Sequence, residues 1–314
     1  MGEFELIAAI ARSCRTLPDN GFEGIGDDCA VLPVGGGEAL VFTCDALCEG
    51  VHFLRDAISP EALGAKTLAV NLSDVAAMGV RPVATLLALS LPADLDAGWA
   101  ERFVAGYTAA SERSGVALVG GDTTRSTSGV VLSVTAIGRG PAAHLKRRRD
   151  ARIGDAIFVT DRLGASAAGL RDLLAGRCGT PLAEIHRTPQ AEIEAGPWLG
   201  EQPAVHAMMD LSDGLASDLR HILAASHCGA AIDLDAIPVA AGATLDDALG
   251  GGEDYKLLLT ASATAADALA SAFEARFGRP LYRVGRIEAT DDGALRWLRD
   301  GNPVAGDWLG FRHF

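Results

Sequence analysis

Short apolar runs alternate with amphipathic segments along the first half of the chain. Helices are indicated at 1–14, 60–78 and 94–114, the second of them interrupted near residues 71–74. Strands are indicated, by short runs of buried-type residues, at 39–44, 83–91, 116–120 and 129–138. Strands and helices that alternate in this way predict an α/β or α+β layer.

The second half shows a similar mixture after a change in composition. Helices are indicated at 164–175, 213–226 and 264–277, and strands at 156–160, 230–234, 256–260, 282–287 and 294–299. The stretch after the first of these helices is rich in Pro and His and is expected to be irregular. A basic run at 144–155, HLKRRRDARIGD, marks the predicted boundary between domains 1–145 and 146–314. A solvated linker is the alternative explanation for these basic residues.

The charge balance limits the possible partners. The 314 residues include 27 basic and 41 acidic side chains, which gives a net charge of −14. Such a surface argues against nucleic acid or an anionic membrane as partner, and a phosphate compound would need divalent cations between itself and the protein. No apolar run reaches the roughly 18 residues that a membrane-spanning helix needs.

Cysteine usage and the N-terminus bear on the compartment. The six cysteines show neither a CxxC pair nor zinc-ligand spacing, so free thiols are the simplest interpretation. The N-terminal segment MGEFELIAAIARSC is acidic and amphipathic, unlike a signal peptide. We therefore expect a protein of the reducing cytoplasm.

Acidic residues recur where apolar strands give way to turns rich in Gly, Ser or Thr. They are Asp45, Asp74, Asp122, Asp210, Asp213, Glu253 and Asp254. Ends of strands are where α/β proteins gather functional groups, and converging carboxylates would repel one another without cations such as Mg²⁺. Helix caps and turns remain the alternative role for Asp74, Asp122, Asp210 and Asp213.

Other nucleotide-binding and hydrolytic signatures are missing from the sequence. It contains no GxxxxGK[ST] segment, no GxGxxG followed by a helix, and no HRD or DFG motif. It also lacks GxSxG and HExxH. A phosphate-handling enzyme with this sequence would therefore be neither a P-loop protein nor a protein kinase.

Six segments, taken together and in order, resemble the thiamine-monophosphate kinase family. They are GIGDDCAVL (24–32), FTCDALCEGVHF (42–53), LGAKTLAVNLSDVAAMG (63–79), LVGGDTTRS (118–126), MDLSDGLASDL (209–219) and GGGEDYKLLLT (250–260). The similarity extends from about residue 3 to the closing DWLGFRHF. That family belongs to the superfamily of aminoimidazole-ribonucleotide synthetase, selenophosphate synthetase and the hydrogenase-maturation dehydratase.

The resemblance implies a fold and an activity. The fold would be the two-domain aminoimidazole-ribonucleotide synthetase-like one, with an N-terminal α/β domain whose sheet joins that of a partner in a homodimer, and a C-terminal α/β domain. The activity would be phosphorylation of thiamine monophosphate to thiamine diphosphate by direct in-line transfer from ATP. ATP, as co-substrate, and several Mg²⁺ ions would lie in the cleft between the domains.

The resemblance also implies roles for individual residues. Metal ligands fall on Asp28, Thr43, Cys44, Asp45, Asp74, Asp122, Asp210 and Asp213. Among these, Asp45, Asp74, Asp122 and Asp210 would carry the catalysis. Nucleotide contacts fall on Gly121, Asp122, Arg148 and Ser212. Substrate contacts fall on His52, Glu253 and Phe311. Of the two adjacent aspartates in GIGDDCAVL, Asp28 would be the ligand and Asp27 would brace the turn.

Three positions depart from the family pattern. Cys44 stands where a Thr is usual, and a neutral thiol is a poor Mg²⁺ ligand, so only its backbone carbonyl could serve. The segment Arg148-Arg149-Asp150-Ala151 replaces Arg-Ser-Gly-Ala, which leaves open which arginine contacts ATP. Lys256 replaces a Glu after the GGEDY segment and is expected to alter only the edge of a strand.

Two other functions compete with this interpretation. Another ATP-using synthetase of the superfamily is one, but residues 1–23 lack the glycine-rich segment with a Cys or Lys that selenophosphate synthesis would favour. A non-catalytic sensor of Mg-nucleotide is the other. Motifs on both the nucleotide and the acceptor side favour the kinase over the sensor.

Overall fold

The computed structural model describes residues 2–14, 21–290 and 293–311, which form two β-sheets with helices on and between them. The first sheet, in spatial order β1-β2-β5-β3-β4, contains β1 (Ala30–Gly35), β2 (Glu38–Cys48), β3 (Arg81–Leu91), β4 (Ala117–Arg125) and β5 (Val131–Pro141). The second, in order β12-β11-β8-β10-β6-β9-β7, contains β6 (Ala156–Val159), β7 (Val205–Asp210), β8 (Gly229–Asp233), β9 (Leu257–Ala261), β10 (Tyr282–Glu288), β11 (Leu295–Arg299) and β12 (Asn302–Val304).

The α-helices of the described residues lie in both halves of the chain. They are α1 (Glu3–Cys14), α2 (Pro60–Ala77), α3 (Trp99–Ser114), α4 (Ala165–Leu174), α5 (Pro181–Arg187), α6 (Ala195–Gly200), α7 (Leu215–Ser226), α8 (Leu245–Gly250) and α9 (Ala266–Phe277). None of them is both long and apolar enough to cross a membrane.

The first sheet is covered by helices on one face and open on the other. Leu132, Val134 and Ala136 of β5 are fully buried on the face that packs against α2. Side chains alternate between the two faces of a strand, so the intervening residues point to the open face. At one edge, β4 pairs with β3 in parallel and is exposed along its whole length. Among the described residues, the sheet therefore has an uncovered face and an unpaired edge at β4.

Helix α2 lies between the two sheets and contacts strands of both. Ser59 caps its N-terminus by accepting the backbone N–H of Ala62, and Pro60 occupies the first turn, where no N–H is needed. Gly64 lets α3 pack closely, because a Cβ there would lie 2.2 Å from the carbonyl oxygen of Phe103. The helix can therefore present polar side chains directly to the space between the sheets.

The predicted interruption of α2 near residues 71–74 is wrong, because the helix is unbroken there. Polar side chains disfavour helix interiors when they compete for local backbone groups. Here Asn71 accepts the backbone N–H of Asp45 at 3.0 Å, and Asp74 accepts the hydroxyl of Thr43 at 2.5 Å. These partners come from β2, so the polar side chains are satisfied without disturbing the helix.

The stretch predicted to be irregular contains two short helices and a strand. Thr180 caps α5, with Pro181 in its first turn. Strand β7 forms the edge of the second sheet next to β9. Its sequence, VHAMMD, carries polar residues near both ends and no alternation, so periodicity did not reveal it. The missed strand matters because it ends in Asp210.

Three further boundaries differ from the prediction. Strand β2 continues beyond residue 44 to Cys48, so Asp45 lies inside a strand and not at its end. Helix α3 begins at Trp99 rather than at residue 94, after Gly98 with a left-handed φ of 78°. Strand β4 continues beyond residue 120 to Arg125, which places Gly121 and Asp122 inside a strand. The sequence also gave no indication of α8 or β12.

Candidate active site

Three carboxylates from distant parts of the chain meet between the two sheets. Asp28 precedes β1, Asp74 lies on α2, and Asp210 ends β7. One oxygen atom of each lies within 4.8 Å of the others. Carboxylates at such separations repel one another unless protons or cations neutralise them. This acidic cluster therefore favours protons or added positive charge.

Hydroxyl groups satisfy part of the acidic cluster. Thr43 Oγ1 donates a hydrogen bond of 2.5 Å to Asp74, and Ser73 Oγ donates one of 2.6 Å to Asp210. Both hydroxyls sit beside the carboxylate they serve because β2, α2 and β7 pack side by side. The hydroxyl hydrogen bonds fix the directions of these two carboxylates but add no positive charge.

One guanidinium neutralises only part of the cluster's charge. Arg148 Nη2 donates a hydrogen bond of 2.6 Å to Asp28 Oδ1. The other oxygen of Asp28, and Nε of Arg148, are buried without a hydrogen-bond partner among the described residues. Buried polar atoms in native proteins nearly always have partners. A carboxylate oxygen left in this way fits a site that a hard cation completes.

Burial raises the pKa values of the acidic cluster. Desolvation raises the pKa of Asp210 to about 8, with the charge of Asp28 adding to the effect. The pKa of Asp74 is raised well above its ordinary value, mainly by burial and then by Asp45 and Asp210. Burial also raises the pKa of Asp28, although Arg148 opposes the rise. A cation that binds here must therefore displace protons.

The adjacent aspartates face different neighbours. Asp27 Oδ1 accepts the backbone N–H of Arg148 at 2.8 Å, which ties the turn before β1 to the chain that connects the two sheets. Desolvation raises the pKa of Asp27 to about 6. Asp28 accepts from the guanidinium of the same Arg148 and belongs to the acidic cluster. Asp27 therefore contacts the backbone of Arg148, whereas Asp28 contacts its side chain and the acidic cluster.

A cleft of about 810 Å³ opens beside the acidic cluster. Asp45 lines it from β2, and Ser212, Asp213 and Phe311 line it from the C-terminal half. The backbone N–H of Phe311 donates a 3.3 Å hydrogen bond to the carbonyl of Asp213, so the end of the described chain closes this wall. Predicted metal, nucleotide and substrate residues therefore share one cleft.

A smaller pocket of about 230 Å³ adjoins the cleft and shares His52, His186 and Glu253 with it. Its other walls are largely apolar and include Leu54 and Leu173. Such a pocket suits an organic ring system with a few polar or charged groups.

The ring of His52 is fixed by its own loop. Its Nδ1 accepts the backbone N–H of Cys48 at 3.0 Å. A nitrogen that accepts a hydrogen bond carries no proton, so in the neutral ring the proton is on Nε2. The residue lines both the cleft and the pocket.

The side chains of Cys44 and Asp122 lie on the open face of the first sheet and not at the acidic cluster, and Gly121 precedes Asp122 on the same strand. Cys44 Sγ lies 3.4 Å from Ser133 Oγ, on the open face of the first sheet. Asp122 is exposed and in register with Ala88, which pairs with Ser133, so it shares that open face. Gly121 has a φ of 153°, and a Cβ there would lie 1.8 Å from a backbone carbonyl oxygen. The roles proposed for these three residues stay predictions.

Two residues at the pocket were missed by sequence reasoning. Lys66 is almost fully buried on α2, and its Nζ lies 3.0 Å from Glu253 Oε2. His186 on α5 places Nδ1 3.3 Å from the same oxygen. The lysine gave a signal, because a lone ammonium inside the apolar run LGAKTLAV has to find a buried partner. The histidine, in a stretch expected to be irregular, gave none.

Family models match most of the chain. The model for the AIR synthase related protein, N-terminal domain, matches residues 26–140, and the model for the C-terminal domain matches residues 152–298. Thiamine-monophosphate kinase from Salmonella typhimurium is 40% identical over 325 residues, an alignment that covers 100% of this chain and 98% of the relative.

Solved structures agree with the sequence matches. The structure of AaThiL complexed with AMPPCP and TMP superposes with a TM-score of 0.84 at 33% identity, covering 100% of this chain and 97% of that one. The thiamine-monophosphate kinase from Stenotrophomonas maltophilia gives a TM-score of 0.76 at 37% identity, covering 97% of this chain and 99% of that one. The predicted two-domain fold is confirmed, and the chain belongs to the thiamine-monophosphate kinase family of AIR synthase related proteins.

Proposed function

We propose that this protein transfers the γ-phosphoryl group of ATP to thiamine monophosphate and forms thiamine diphosphate. The observation that carries the proposal is a cleft that shares His52, His186 and Glu253 with a smaller pocket and is lined by Asp45, a near neighbour of the acidic cluster. The AaThiL structure, which holds AMPPCP and TMP, supports the assignment of both substrates. Phosphoryl transfer needs mainly positioning and charge neutralisation, and these two regions are suited to supply them.

Magnesium fits the oxygen donors of the cleft. The residues that would hold it are Asp28, Thr43, Asp45, Asp74, Asp210 and Asp213. Mg²⁺, when bound, neutralises phosphate charge and stabilises the charge that develops on the transferred group. This assignment is supported by the oxygen of Asp28 that has no partner among the described residues and by the raised pKa values of Asp74 and Asp210.

The chain's own side chains would then bind and orient the two substrates. Arg148 and Ser212 lie at the acidic end and are assigned to the nucleotide. His52 would donate from Nε2 to the phosphate of thiamine monophosphate, and Phe311 would contact its rings. Because the acceptor is a phosphate oxygen already ionised at neutral pH, no general base is required. Direct in-line transfer follows as the simplest mechanism.

A coupled assay tests this function. With ATP, Mg²⁺ and thiamine monophosphate we expect ADP and thiamine diphosphate in equal amounts, and no product with unphosphorylated thiamine. Release of ADP without thiamine diphosphate would contradict the proposal, and so would equal use of thiamine.

We also propose that the protein forms a homodimer through the open face and free edge of the first sheet. Leu86, Leu118 and Val119 are exposed there, and an unpaired apolar edge strand favours association. Val119→Lys should shift the mass measured by light scattering from dimer to monomer. A monomeric wild-type protein would contradict the proposal.

We propose that the protein acts in the cytoplasm. All six cysteines are free thiols, which is usual in a reducing compartment. ATP, the co-substrate, is also an intracellular metabolite.

A further inference from the structure

Lys66 lines the pocket and contacts two of the three predicted substrate residues, His52 and Glu253. Its side chain is 1% exposed, and Nζ lies 3.0 Å from Glu253 Oε2 and 3.4 Å from the backbone carbonyl oxygen of His52. A buried ammonium is costly to desolvate, and it persists only where charged or polar partners surround it. Here both of its hydrogen-bond partners belong to residues that line the mouth of the pocket.

Glu253 is held in an unusual conformation at this point. Its φ is 64°, in the left-handed region that non-glycine residues seldom adopt, and its N–H donates to the carbonyl of Ser212. His186 Nδ1 approaches the same carboxylate oxygen at 3.3 Å and lies 2.9 Å from Ser166 Oγ. Burial, with the charge of Lys66, lowers the pKa of His186 to about 4. The imidazole is therefore neutral, and Lys66 carries the positive charge that faces Glu253.

We propose that Lys66 is a positioning residue for the acceptor substrate. It holds the carboxylate of Glu253 and the carbonyl of His52 in the arrangement that receives thiamine monophosphate. This inference rests on the proposed function. It predicts that removal of the ammonium raises the KM for thiamine monophosphate and that this effect depends on Glu253.

Steady-state kinetics of Lys66→Met, Glu253→Gln and the double variant test the proposal. Lys66→Met should raise the KM for thiamine monophosphate by about tenfold and the KM for ATP by less than about twofold, since one charged contact is lost on one side only. In the Glu253→Gln background the same change should add less than about twofold, because residues that act together are not additive. Lys66→Arg, which keeps the charge, should recover part of the loss.

Lys146 provides a matched control. It is another buried lysine, but its Nζ donates to the backbone carbonyls of Gln202 and Val205, neither of which lines the cleft or the pocket. Lys146→Met should lower the melting temperature and leave both KM values within about twofold of the wild type. If Lys66→Met does not fold, Lys66→Gln, which keeps a donor without the charge, takes its place.

Two results would overturn the role of Lys66. One is an unchanged KM for thiamine monophosphate in a folded Lys66 variant, and the other is full additivity with Glu253→Gln. Either would make Lys66 a structural residue like Lys146. A wild-type protein that does not phosphorylate thiamine monophosphate would instead overturn the proposed function, so the two failures are distinguishable.

Discussion

The two ends of the cleft handle buried charge in opposite ways. At the acidic end, Asp28, Asp74 and Asp210 crowd together beside one guanidinium, and an oxygen of Asp28 has no partner among the described residues. At the acceptor end, the carboxylate of Glu253 faces the ammonium of Lys66 at 3.0 Å. At the acceptor end the chain supplies both partners of the charge pair, whereas the proposed function requires cations from solution to complete the acidic end.

The acidic cluster reduces the stability of the metal-free protein. Carboxylates whose pKa is raised in the folded state disfavour folding as the pH rises, because the unfolded chain releases their protons first. Carboxylates with strongly shifted pKa values are typical of functional sites, where their chemistry offsets their cost in stability. No such conflict is expected at the acceptor end, where charges are paired.

The largest effect is expected from Asp74→Asn. It removes the negative charge that Asp74 would present to a bound cation with almost no change in volume, so turnover should fall by roughly a thousandfold or more. The melting temperature without Mg²⁺ should stay or rise, because repulsion is relieved. Asp172→Asn, at a surface pair with Arg177, is the control and should leave turnover unchanged. Near-normal turnover of Asp74→Asn with saturating Mg²⁺ would rule out the metal role of the cluster.

Arg148→Met should cost stability at the acidic end. Removing the partner of a buried carboxylate lowers the free energy of unfolding by about 3–5 kcal/mol. This loss applies to Arg148→Met when its partner Asp28 is ionised. At low pH Asp28 can take up a proton, so the loss measured by urea unfolding without Mg²⁺ should shrink as the pH falls. Arg149→Met, at an exposed pair with Glu23, is the control. A loss of unfolding free energy that is the same at neutral and at low pH would mean that the charge of Asp28 does not contribute to the effect.

His52→Ala tests the acceptor end. Loss of a hydrogen bond to a phosphate is worth about 1.5–3 kcal/mol, so the KM for thiamine monophosphate should rise by about 10- to 150-fold with little change for ATP. The melting temperature reports any structural loss, since the ring also accepts the N–H of Cys48. A lower melting temperature with unchanged KM would make His52 structural.

The smallest effect is expected at Cys44. Its Sγ lies on the open face of the first sheet, 3.4 Å from Ser133 Oγ, and not at the acidic cluster. Cys44→Ser and Cys44→Thr should therefore keep activity and Mg²⁺ dependence within about twofold of the wild type. A large shift in the Mg²⁺ concentration for half-maximal activity would show that this position does reach the metals.

Sequence reasoning succeeded where local pattern and final environment agree. Strands such as 83–91 and helices such as 264–277 were predicted close to their observed bounds, because apolar periodicity decides them. It failed at Asn71 and Asp74, whose polar side chains find partners on β2 that no local rule can foresee. Tertiary hydrogen bonds reversed the local preference there.

Sequence motifs predicted some features of the candidate site and missed others. Motifs pointed to Asp28, Asp74 and Asp210, which the fold does bring together. They could not show that Asp122 lies on the opposite face of its sheet, since that depends on strand register. Nor could they show that Lys66 pairs with Glu253, a contact across 187 positions of sequence.

The central claim is that Mg²⁺ replaces protons in the acidic cluster, and thermal unfolding with and without Mg²⁺ tests it most directly. The folded pKa of Asp210, about 8, exceeds its ordinary value of 3.8, so between these values the folded state holds protons that the unfolded chain has lost. Mg²⁺ competes with those protons. The increase in Tm caused by Mg²⁺ should therefore be larger at about pH 8.5 than at about pH 5.5, and Asp74→Asn should lose most of it. An equal increase at both pH values, or none at either, would contradict the account.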